Sequence, residues 1–434
     1  MTPQAPDGRW LSAAQRIGKA LCQQAIWHED RCTWIGRSQD EADEQTLVIT
    51  PTAESLSTDL YGGTSGIALF LSELTALTQD ESTHKTALGA VRHALRRPLP
   101  RASNPIGFFS GTLGVAYAVA RSGSVLQSAE LAEEGLALAR KVAKETAVDD
   151  PSGFPLDVIS GCAGAILGLL GLCQSSSTDS FLPFAIRLGE YLCRRAERTA
   201  DGQWLWHELA LADPSQSPGG VVWPMTGYSH GEAGVGLALL ELHRMTGRQD
   251  FLDGYYGALA YEDRFYSARR GNWPDLRTWT PDTAVDDLPV WGVTWCHGAP
   301  GILLSRLRAL SLLPELDGRL LPQIQGALRA TLEAVKTRRA GPRQDATLCH
   351  GGAGYGDILL LAAAQLGQQA LHEEALQIGM DLLKEEQPGA SYLTGVPSGG
   401  PNPSLLIGTA GIGHFFLRLH EPSILSLLVS PYAS

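Results

Sequence analysis

The sequence is poor in charge and lacks the segments that mark nucleic-acid-binding or membrane-spanning proteins. Only 18% of its 434 residues are charged, the formal net charge is −12, and no tract of clustered Lys and Arg occurs. Nucleic acid is therefore not an expected partner, because phosphate binding needs such clusters. No apolar run approaches the roughly 20 residues that span a bilayer, so no transmembrane segment is predicted. The polar N-terminus has no apolar signal region, and we expect a soluble, cytoplasmic protein.

Cysteine is also scarce, and this excludes a scaffold held together by disulfides. Seven cysteines in a chain of this length are too few for such a framework. Four of them lie among apolar neighbours and are predicted to be small buried side chains: Cys22, Cys162, Cys173 and Cys193. Cys296 and Cys349 differ, because each is followed directly by a histidine.

Glycine is abundant, and its spacing reveals an internal repeat. Gly-x-x-Gly followed by an apolar run occurs seven times, with steps of 48, 50, 70, 67, 53 and 57 residues. The first glycines are Gly63, Gly111, Gly161, Gly231, Gly298, Gly351 and Gly408. One such motif means little in a chain with 48 glycines, but seven at similar spacing indicate a repeat.

Each repeat is predicted to hold two helices. The segments after the motifs, such as 165–170 and 235–240, are apolar nearly all round and should be buried on every side. Stretches between them, such as 131–144 and 320–336, alternate apolar and charged residues with helical period. A closed ring buries the inner helices, whereas an open solenoid exposes a concave face. The sequence therefore predicts an all-α protein, an α/α toroid of seven inner and seven outer helices, as a single domain over residues 1–434.

The predicted ring places all seven motifs at one end of the barrel. Inner helices that run in one direction begin at that end, where glycine permits tight turns and close approach of neighbouring backbones. Two steps are longer than the others. The extra residues fall in 204–226 and 261–293, which are rich in Pro, Trp and Gly, and we expect them to form loops over the same end.

The residues just before the motifs are the candidates for chemistry. In the seven repeats they are Gly62, Ser110, Ser160, His230, His297, His350 and Ile407. One position earlier the series is Tyr61, Phe109, Ile159, Ser229, Cys296, Cys349 and Leu406. Three histidines and two cysteines thus fall on equivalent positions in three consecutive repeats.

Cys296-His297 and Cys349-His350 together favour zinc, because thiolate and imidazole select it over magnesium or calcium. A closed structural site with all four ligands fits this set, and so does an open catalytic site with three. A position at the open end of a barrel, under loops, favours the catalytic site. In that case one of the four candidates does not bind.

Three of the motifs resemble the signatures of lanthionine cyclases, the lanthionine synthetase C-like family. They are Ser229-His-Gly-Glu-Ala-Gly234, Trp295-Cys-His-Gly-Ala-Pro-Gly301 and Leu348-Cys-His-Gly-Gly-Ala-Gly354. The similarity extends from Leu60-Tyr-Gly-Gly to Phe415-Phe-Leu-Arg-Leu419. Two further segments resemble the C-terminal cyclase domain of class II lanthionine synthetases in particular: Tyr261-Glu-Asp-Arg-Phe265 and Gly271-Asn-Trp-Pro-Asp-Leu-Arg277.

This resemblance implies an α/α toroid with one zinc ion per chain. Carried onto this sequence, the zinc ligands are Cys296, Cys349 and His350. His297 is then the candidate that does not bind, since stand-alone class I cyclases place Tyr at the matching position. His230 matches the proposed acid/base of the family.

The resemblance also bears on residues around the predicted zinc. Asp157 matches an aspartate placed near the metal, where it could orient His230 or hold a substrate amide. Class I cyclases carry Arg at the position of Gly292, and Arg277 is the candidate for the missing charge. We expect Arg277 and His297 to contact substrate.

The implied reaction is the addition of a peptide cysteine thiol to dehydroalanine or dehydrobutyrine, which forms lanthionine or methyllanthionine rings in a ribosomal precursor peptide. The chain lacks the several hundred residues of a dehydratase half. The expected partners are therefore a dehydrated precursor peptide and a separate dehydratase.

Other functions remain open at this point. One is a non-catalytic peptide-binding scaffold with a structural zinc, and another is an α/α-barrel enzyme of other thiol-activating chemistry, such as a zinc prenyltransferase. A glycosidase needs two carboxylates beside its substrate, and only Glu232 and Asp357 lie near the predicted ring.

Overall fold

The protein is all-α in its architecture, with fourteen α-helices and a few short strands in the described part of the chain. The computed structural model describes residues 8–37, 53–97, 105–148, 153–209, 223–277, 279–386, 392–395 and 401–429. Seven helices form an inner layer: α2 (Thr64–Thr78), α4 (Thr112–Val125), α6 (Cys162–Ser175), α8 (Glu232–Thr246), α10 (Ala299–Leu312), α12 (Gly352–Leu366) and α14 (Thr409–His420). Seven form an outer layer: α1 (Gly8–Gln24), α3 (Glu81–Arg96), α5 (Ala129–Glu145), α7 (Leu182–Arg195), α9 (Gln249–Phe265), α11 (Asp317–Ala340) and α13 (Gln369–Glu385).

The inner helices form a closed ring. Each contacts the next one along the chain, and α14 contacts α2. Six of them pack against the outer helix that follows, whereas α14 packs against α1 from the other end of the chain. In this seventh pair, Trp10 of α1 stacks on Phe416 at 6.1 Å. The predicted α/α toroid of seven inner and seven outer helices is confirmed, with its last outer helix supplied by the N-terminal segment.

The two layers bury their residues as their sequence patterns require. On α6, residues 162–173 are all buried, whereas α5 buries Leu131, Gly135, Ala139 and Val142 on one stripe. Such a three- or four-residue spacing is that of a helix with one face in solvent. The last turns of several inner helices depart from the expected all-round burial, since Ala76, Ser124, Ser311 and Ala364 are exposed.

The second glycine of each motif is required by its own repeat. A Cβ atom there would lie 1.7–2.5 Å from the carbonyl oxygen of the residue six positions earlier. The seven glycines are Gly66, Gly114, Gly164, Gly234, Gly301, Gly354 and Gly411. The turn before each inner helix therefore folds back onto the first turn of that helix. The sequence suggested contact between neighbouring backbones at the axis, but the closest backbone contact is within the repeat.

Hydrogen bonds join the turns before the motifs into a ring at one end of the barrel. Six are between backbone groups, and the hydroxyl of Ser229 supplies the seventh. In order, donors and acceptors are Tyr61 to Phe109, Phe109 to Ile159, Val158 to Ser229, Ser229 to Cys296, Trp295 to Cys349, Cys349 to Leu406 and Leu406 to Tyr61. Side chains on equivalent positions of this ring therefore meet near the axis.

The axis of the barrel below this ring is filled by side chains and by the C-terminal segment. The rings of Phe109 and Tyr228 lie 5.3 and 5.9 Å from that of Trp295. The indole of Trp295 donates to the carbonyl of Leu428 at 2.6 Å, and the hydroxyl of Tyr228 donates to that of Val429 at 2.9 Å. Among the described residues, these contacts close the motif end on the side of the barrel axis.

The long steps of the repeat do not all form loops. Residues 261–265 complete α9, so the insertion of that repeat begins at 266. In the other interval, Trp204 packs on α9 and the indole of Trp206 donates to a carbonyl of α7. Residues 210–222, on which part of the loop prediction falls, lie outside the described residues.

Three small antiparallel sheets lie outside the toroid layers. Their strands are β1 (Ile26–His28) with β2 (Arg31–Thr33), β3 (Ile35–Arg37) with β4 (Ala53–Ser55), and β5 (Glu197–Arg198) with β6 (Trp204–Leu205). In β1–β2, Trp27 pairs with Cys32. Within the described ranges, no helix has both the length and the apolar character to cross a bilayer.

Candidate metal centre and active site

Cys296, Cys349 and His350 meet at the motif end of the barrel. Their potential ligand atoms all lie within 4.8 Å of one another. The backbone of Cys349 donates to Leu406 and accepts from Trp295, and the carbonyl of Cys296 accepts from the hydroxyl of Ser229. In the part of the chain that the structure describes, no other group of three Cys, His, Asp or Glu side chains comes this close.

The donor set fits a zinc ion. Zinc–sulfur bonds of about 2.3 Å and zinc–nitrogen bonds of about 2.0–2.1 Å put tetrahedral ligand atoms roughly 3.5–3.8 Å apart. The Cys349 Sγ–His350 Nε2 distance is 3.4 Å, and both sulfurs are buried. His350 turns its other nitrogen, Nδ1, toward Asp345 Oδ2 at 3.7 Å. A carboxylate behind a ligating histidine is the usual outer-shell partner, and it favours Nε2 as the ligand atom.

Each cysteine sulfur also has a hydroxyl neighbour. The hydroxyl of Tyr61 donates to Cys349 Sγ at 3.1 Å, and Thr294 Oγ1 lies 3.2 Å from Cys296 Sγ. Tyr61 was in the sequence series as the equivalent of the two cysteines in the first repeat. Nothing in the sequence indicated Thr294 or Asp345.

The charges of the two sulfurs are linked. A hydrogen bond from the Cys349 thiol, with His350 nearby, lowers the pKa of Cys296 to about 3 against the effect of burial. Burial and the neighbouring Cys296 raise the pKa of Cys349 well above its usual value. A bound dication would favour ionisation of both sulfurs.

His230 and Asp157 form a second pair, across the boundary between the third and fourth repeats. His230 Nδ1 lies 2.6 Å from Asp157 Oδ2. The other carboxylate oxygen, Oδ1, accepts from the backbone and hydroxyl of Ser160 at 2.9 and 3.0 Å. This aspartate therefore accepts from a backbone donor and also contacts His230. With Nδ1 so engaged, Nε2 is the nitrogen available to exchange a proton.

His297 lies outside the three-residue cluster and against His230. The two imidazole rings stack with centroids 5.8 Å apart and an angle of 28°. Its Nδ1 is buried and has no hydrogen-bond partner among the described residues. Burial lowers the pKa of His297, and His230 and Arg277 add to this effect against the opposing charge of Cys296. The ring is therefore neutral near pH 7 and has a free polar atom.

Arg277 is half exposed and pairs with Asp275, 3.6 Å away. It lies near enough to affect the pKa of His297, but no contact with a cysteine is present. A Cβ on Gly292 would lie 2.9 Å from both the Cβ and the carbonyl oxygen of His297. The position that carries Arg in class I cyclases is therefore closed to a side chain here, which leaves Arg277 as the nearby cation.

Known proteins share the sequence pattern and the fold of this chain. A sequence model of the family described as lanthionine synthetase C-like protein matches residues 54–430. The chain belongs to this family. The solved structure of nisin cyclase is similar over 84% of this chain and 89% of its own, with a TM-score of 0.61 and 17% identity, which shows a shared fold. A possible member of the GH105 family from Salmonella enterica is less similar, with a TM-score of 0.46 and 12% identity over 97% of this chain and 96% of its own.

Two residues of the segments 261–265 and 271–277 fix the site loops of this lanthionine synthetase C-like protein. Glu262 is buried, and one carboxylate oxygen accepts from the backbone of Gly227 and Ala233, on either side of His230. Asn272 accepts from the backbone of Ala299 and donates to that of Gly292, on either side of Cys296. These segments therefore act as supports, a role that the sequence left open.

The two carboxylates considered from the sequence for glycoside chemistry are engaged in structure. Glu232 accepts from the backbone of Trp206 and is fully buried, whereas Asp357 is bonded to Arg418 and Ser426. Neither faces a substrate space as a glycosidase acid or nucleophile must. Thiol chemistry is therefore better supported than glycoside chemistry in this member of the family.

Proposed function

We propose that this protein is a zinc-dependent peptide cyclase that adds a cysteine thiol across dehydroalanine or dehydrobutyrine to form thioether rings. The observation that carries the proposal is that a three-residue cluster and a two-residue pair lie at one end of the barrel. A thiolate–imidazole cluster and a histidine–aspartate pair meet there, and His297 lies between them in the ring order.

Cys296, Cys349 and His350 are the residues that would hold the metal. Three protein ligands are typical of catalytic zinc sites, which keep a fourth position for water or substrate. Zinc bound there would lower the pKa of a substrate thiol and so supply a thiolate at neutral pH. The buried sulfurs, each beside a hydroxyl, keep the donor atoms in one arrangement before substrate enters.

His230 is proposed to move the proton. Addition forms the bond from sulfur to the β-carbon, the double-bond pair moves toward the carbonyl, and the resulting enolate must take a proton at the α-carbon. His230 can accept the thiol proton on Nε2 and return it to that carbon, so atoms and charge balance. Asp157 holds Nδ1 and stabilises the imidazolium between these steps.

Two further residues are proposed to contact substrate. His297 offers a buried Nδ1 with no partner among the described residues, which suits a peptide N–H. Arg277 is half exposed at the rim and suits a peptide carbonyl or carboxylate. The substrate would be a dehydrated precursor peptide made by a separate dehydratase.

The test measures zinc and activity on the same set of proteins. Wild type, Cys349→Ala, His297→Ala and His230→Asn are assayed for bound zinc, and then for loss of alkylatable thiol in a dehydrated, Cys-containing peptide. We expect about one zinc per chain except in Cys349→Ala, and ring formation lost in Cys349→Ala and His230→Asn. If His297→Ala also loses its metal, the site is a closed four-ligand one, and a non-catalytic peptide-binding scaffold becomes the better description.

A further inference from the structure

We propose that Tyr61 and Thr294 are positioning residues that hold the two cysteine sulfurs through hydroxyl hydrogen bonds and so set the metal affinity of the site. This inference rests on the proposed function, because it assumes that the cysteines bind zinc. It adds Tyr61 of the first repeat to the site. In the ring, the seventh repeat lies between Tyr61 and Cys349 of the sixth repeat.

The contact between Tyr61 and Cys349 is built into the ring. The backbone of Tyr61 donates to Phe109 and accepts from Leu406, the same residue that accepts from Cys349. Both side chains therefore start from equivalent ring positions, and the phenol reaches the sulfur at 3.1 Å. Cys349 is 1% exposed, so water cannot replace this donor.

Thr294 is held with similar firmness beside Cys296. Its hydroxyl oxygen accepts from the backbone of His297 at 3.1 Å and lies 3.3 Å from the carbonyl of His297, which competes with the sulfur for the hydroxyl proton. The flanking residues Val293 and Gly298 form an isolated β-bridge, which narrows the turn that carries Cys296. The hydroxyl then lies 3.2 Å from the sulfur.

The direction of both bonds follows from the state of the sulfurs. A metal-bound cysteine is a thiolate and can only accept, so both hydroxyls must donate to it. A hydrogen bond to a buried charged acceptor is stronger than one between neutral groups, because water does not compete for it. Each sulfur then keeps one donor, which stabilises the ionised form and fixes its orientation. Removing an outer-shell partner of this kind lowers metal affinity by roughly 10- to 100-fold in other metalloproteins.

Tyr61→Phe removes one oxygen atom and tests the first contact. Tyr261→Phe is the matched control, because the buried hydroxyl of Tyr261 donates to a carbonyl, that of Pro224, and not to sulfur. Zinc affinity is measured by competition with a chromophoric chelator. We expect roughly 10- to 100-fold weaker zinc binding in Tyr61→Phe, and wild-type binding in the control.

Cobalt substitution gives a second readout that does not depend on activity. Hydrogen bonds lower the energy of the sulfur electrons, so losing one should move the sulfur-to-cobalt charge-transfer band to longer wavelength. Tyr61→Phe and Thr294→Val should both show this shift, and Thr294→Ser should restore the wild-type band. A purely structural role of these hydroxyls would change protein stability and leave the band in place.

The outcomes separate this inference from the proposed function. If wild type binds zinc through its cysteines while Tyr61→Phe keeps wild-type affinity and spectrum, the positioning role is wrong and the cyclase proposal stands. If wild type binds no metal at Cys296 and Cys349, the proposed function fails and the inference fails with it. A band that shifts equally in Tyr261→Phe would also overturn the inference, since it would report a general disturbance of the protein.

Discussion

Two arcs of the ring share one backbone and differ in chemistry. In repeats one to three the residue before the motif is small, and in repeats four to six it is histidine: Gly62, Ser110 and Ser160 against His230, His297 and His350. In both arcs, the second glycine of each motif lies against the carbonyl oxygen six positions earlier in its own repeat. Steric contact thus requires glycine at the second motif position in every repeat. The residue just before the motif is under no such constraint, so it can vary and take part in function.

Repeats one to three also contribute to the site, because their side chains contact residues of repeats four to six. Asp157 from the third repeat binds His230, and Tyr61 from the first repeat binds Cys349. One arc thus carries the candidate ligands and the proton-transfer group, and the other carries residues that hold them. Four predictions test whether the two arcs have these different roles.

The largest effect is expected from removing a buried cysteine in each arc. Cys349→Ala should abolish zinc binding and ring formation, because two ligands do not hold the ion at ordinary concentrations. Cys162→Ala is the comparison, since this cysteine is also fully buried and burial raises its pKa, so it stays a thiol. Zinc content and thiol alkylation are the measurements. Loss of zinc in Cys162→Ala as well would show that the division between the arcs is wrong.

The second prediction concerns proton transfer. His230→Asn should lower the single-turnover rate of cyclisation by about 10²- to 10⁴-fold, the usual contribution of a general acid/base. Asp157→Asn should cause a smaller loss, because the imidazole remains and only its orientation and charge support are weakened. Zinc content should be unchanged in both, which separates this effect from metal loss. Full activity of His230→Asn would assign the proton to another group, with His297 the nearest candidate.

The third prediction tests whether the arcs are alike in stability. Gly114→Ala and Gly234→Ala place a methyl group 1.7 and 2.0 Å from a carbonyl oxygen. Each should lower the free energy of unfolding by about 3 kcal/mol, as overpacking does. Gly318→Ala on α11 is the control, because nothing lies within 4 Å of the added atom. Denaturant titration measures all three, and a large effect in one arc alone would contradict a common steric cause.

Much of the fold could be predicted because it depends on local rules repeated seven times. Glycine spacing marks the inner helix starts, and apolar periodicity separates the two layers. The pairing of α1 with α14 could not be found in this way, because α1 precedes the first motif and carries no glycine signal. The C-terminal segment below the site was equally hidden, since its carbonyls bind Trp295 and Tyr228 through tertiary contacts alone.

The candidate site was partly readable for the same reason. Equivalent positions in consecutive repeats must meet on the axis, so the closeness of Cys296, Cys349 and His350 followed from the repeat, with the family resemblance choosing among four candidates. The supporting residues follow no such rule. Thr294 and Asp345 lie two and five positions before the candidate ligands they support, and only the turn geometry brings them near.

The fourth prediction uses a histidine of the inner layer outside the site. His414 on α14 is buried, and burial lowers its pKa to about 4, with Arg418 and Arg121 adding to this effect and Asp357 opposing it. The unfolded chain protonates this imidazole near pH 6.5, so acid favours unfolding. Its contribution is complete above that pH and declines as the pH falls toward 4.

The expected loss from His414 is about 2 kcal/mol between roughly pH 7.5 and pH 5. Other groups also titrate in this range, so the test compares slopes. His414→Leu cannot be protonated there, and its unfolding free energy should fall less steeply with acid than that of wild type by this amount. Parallel slopes would mean that the buried imidazole takes up a proton in the folded protein. His414, a buried histidine of the inner layer, could then no longer be contrasted as a neutral group with the histidines of the site.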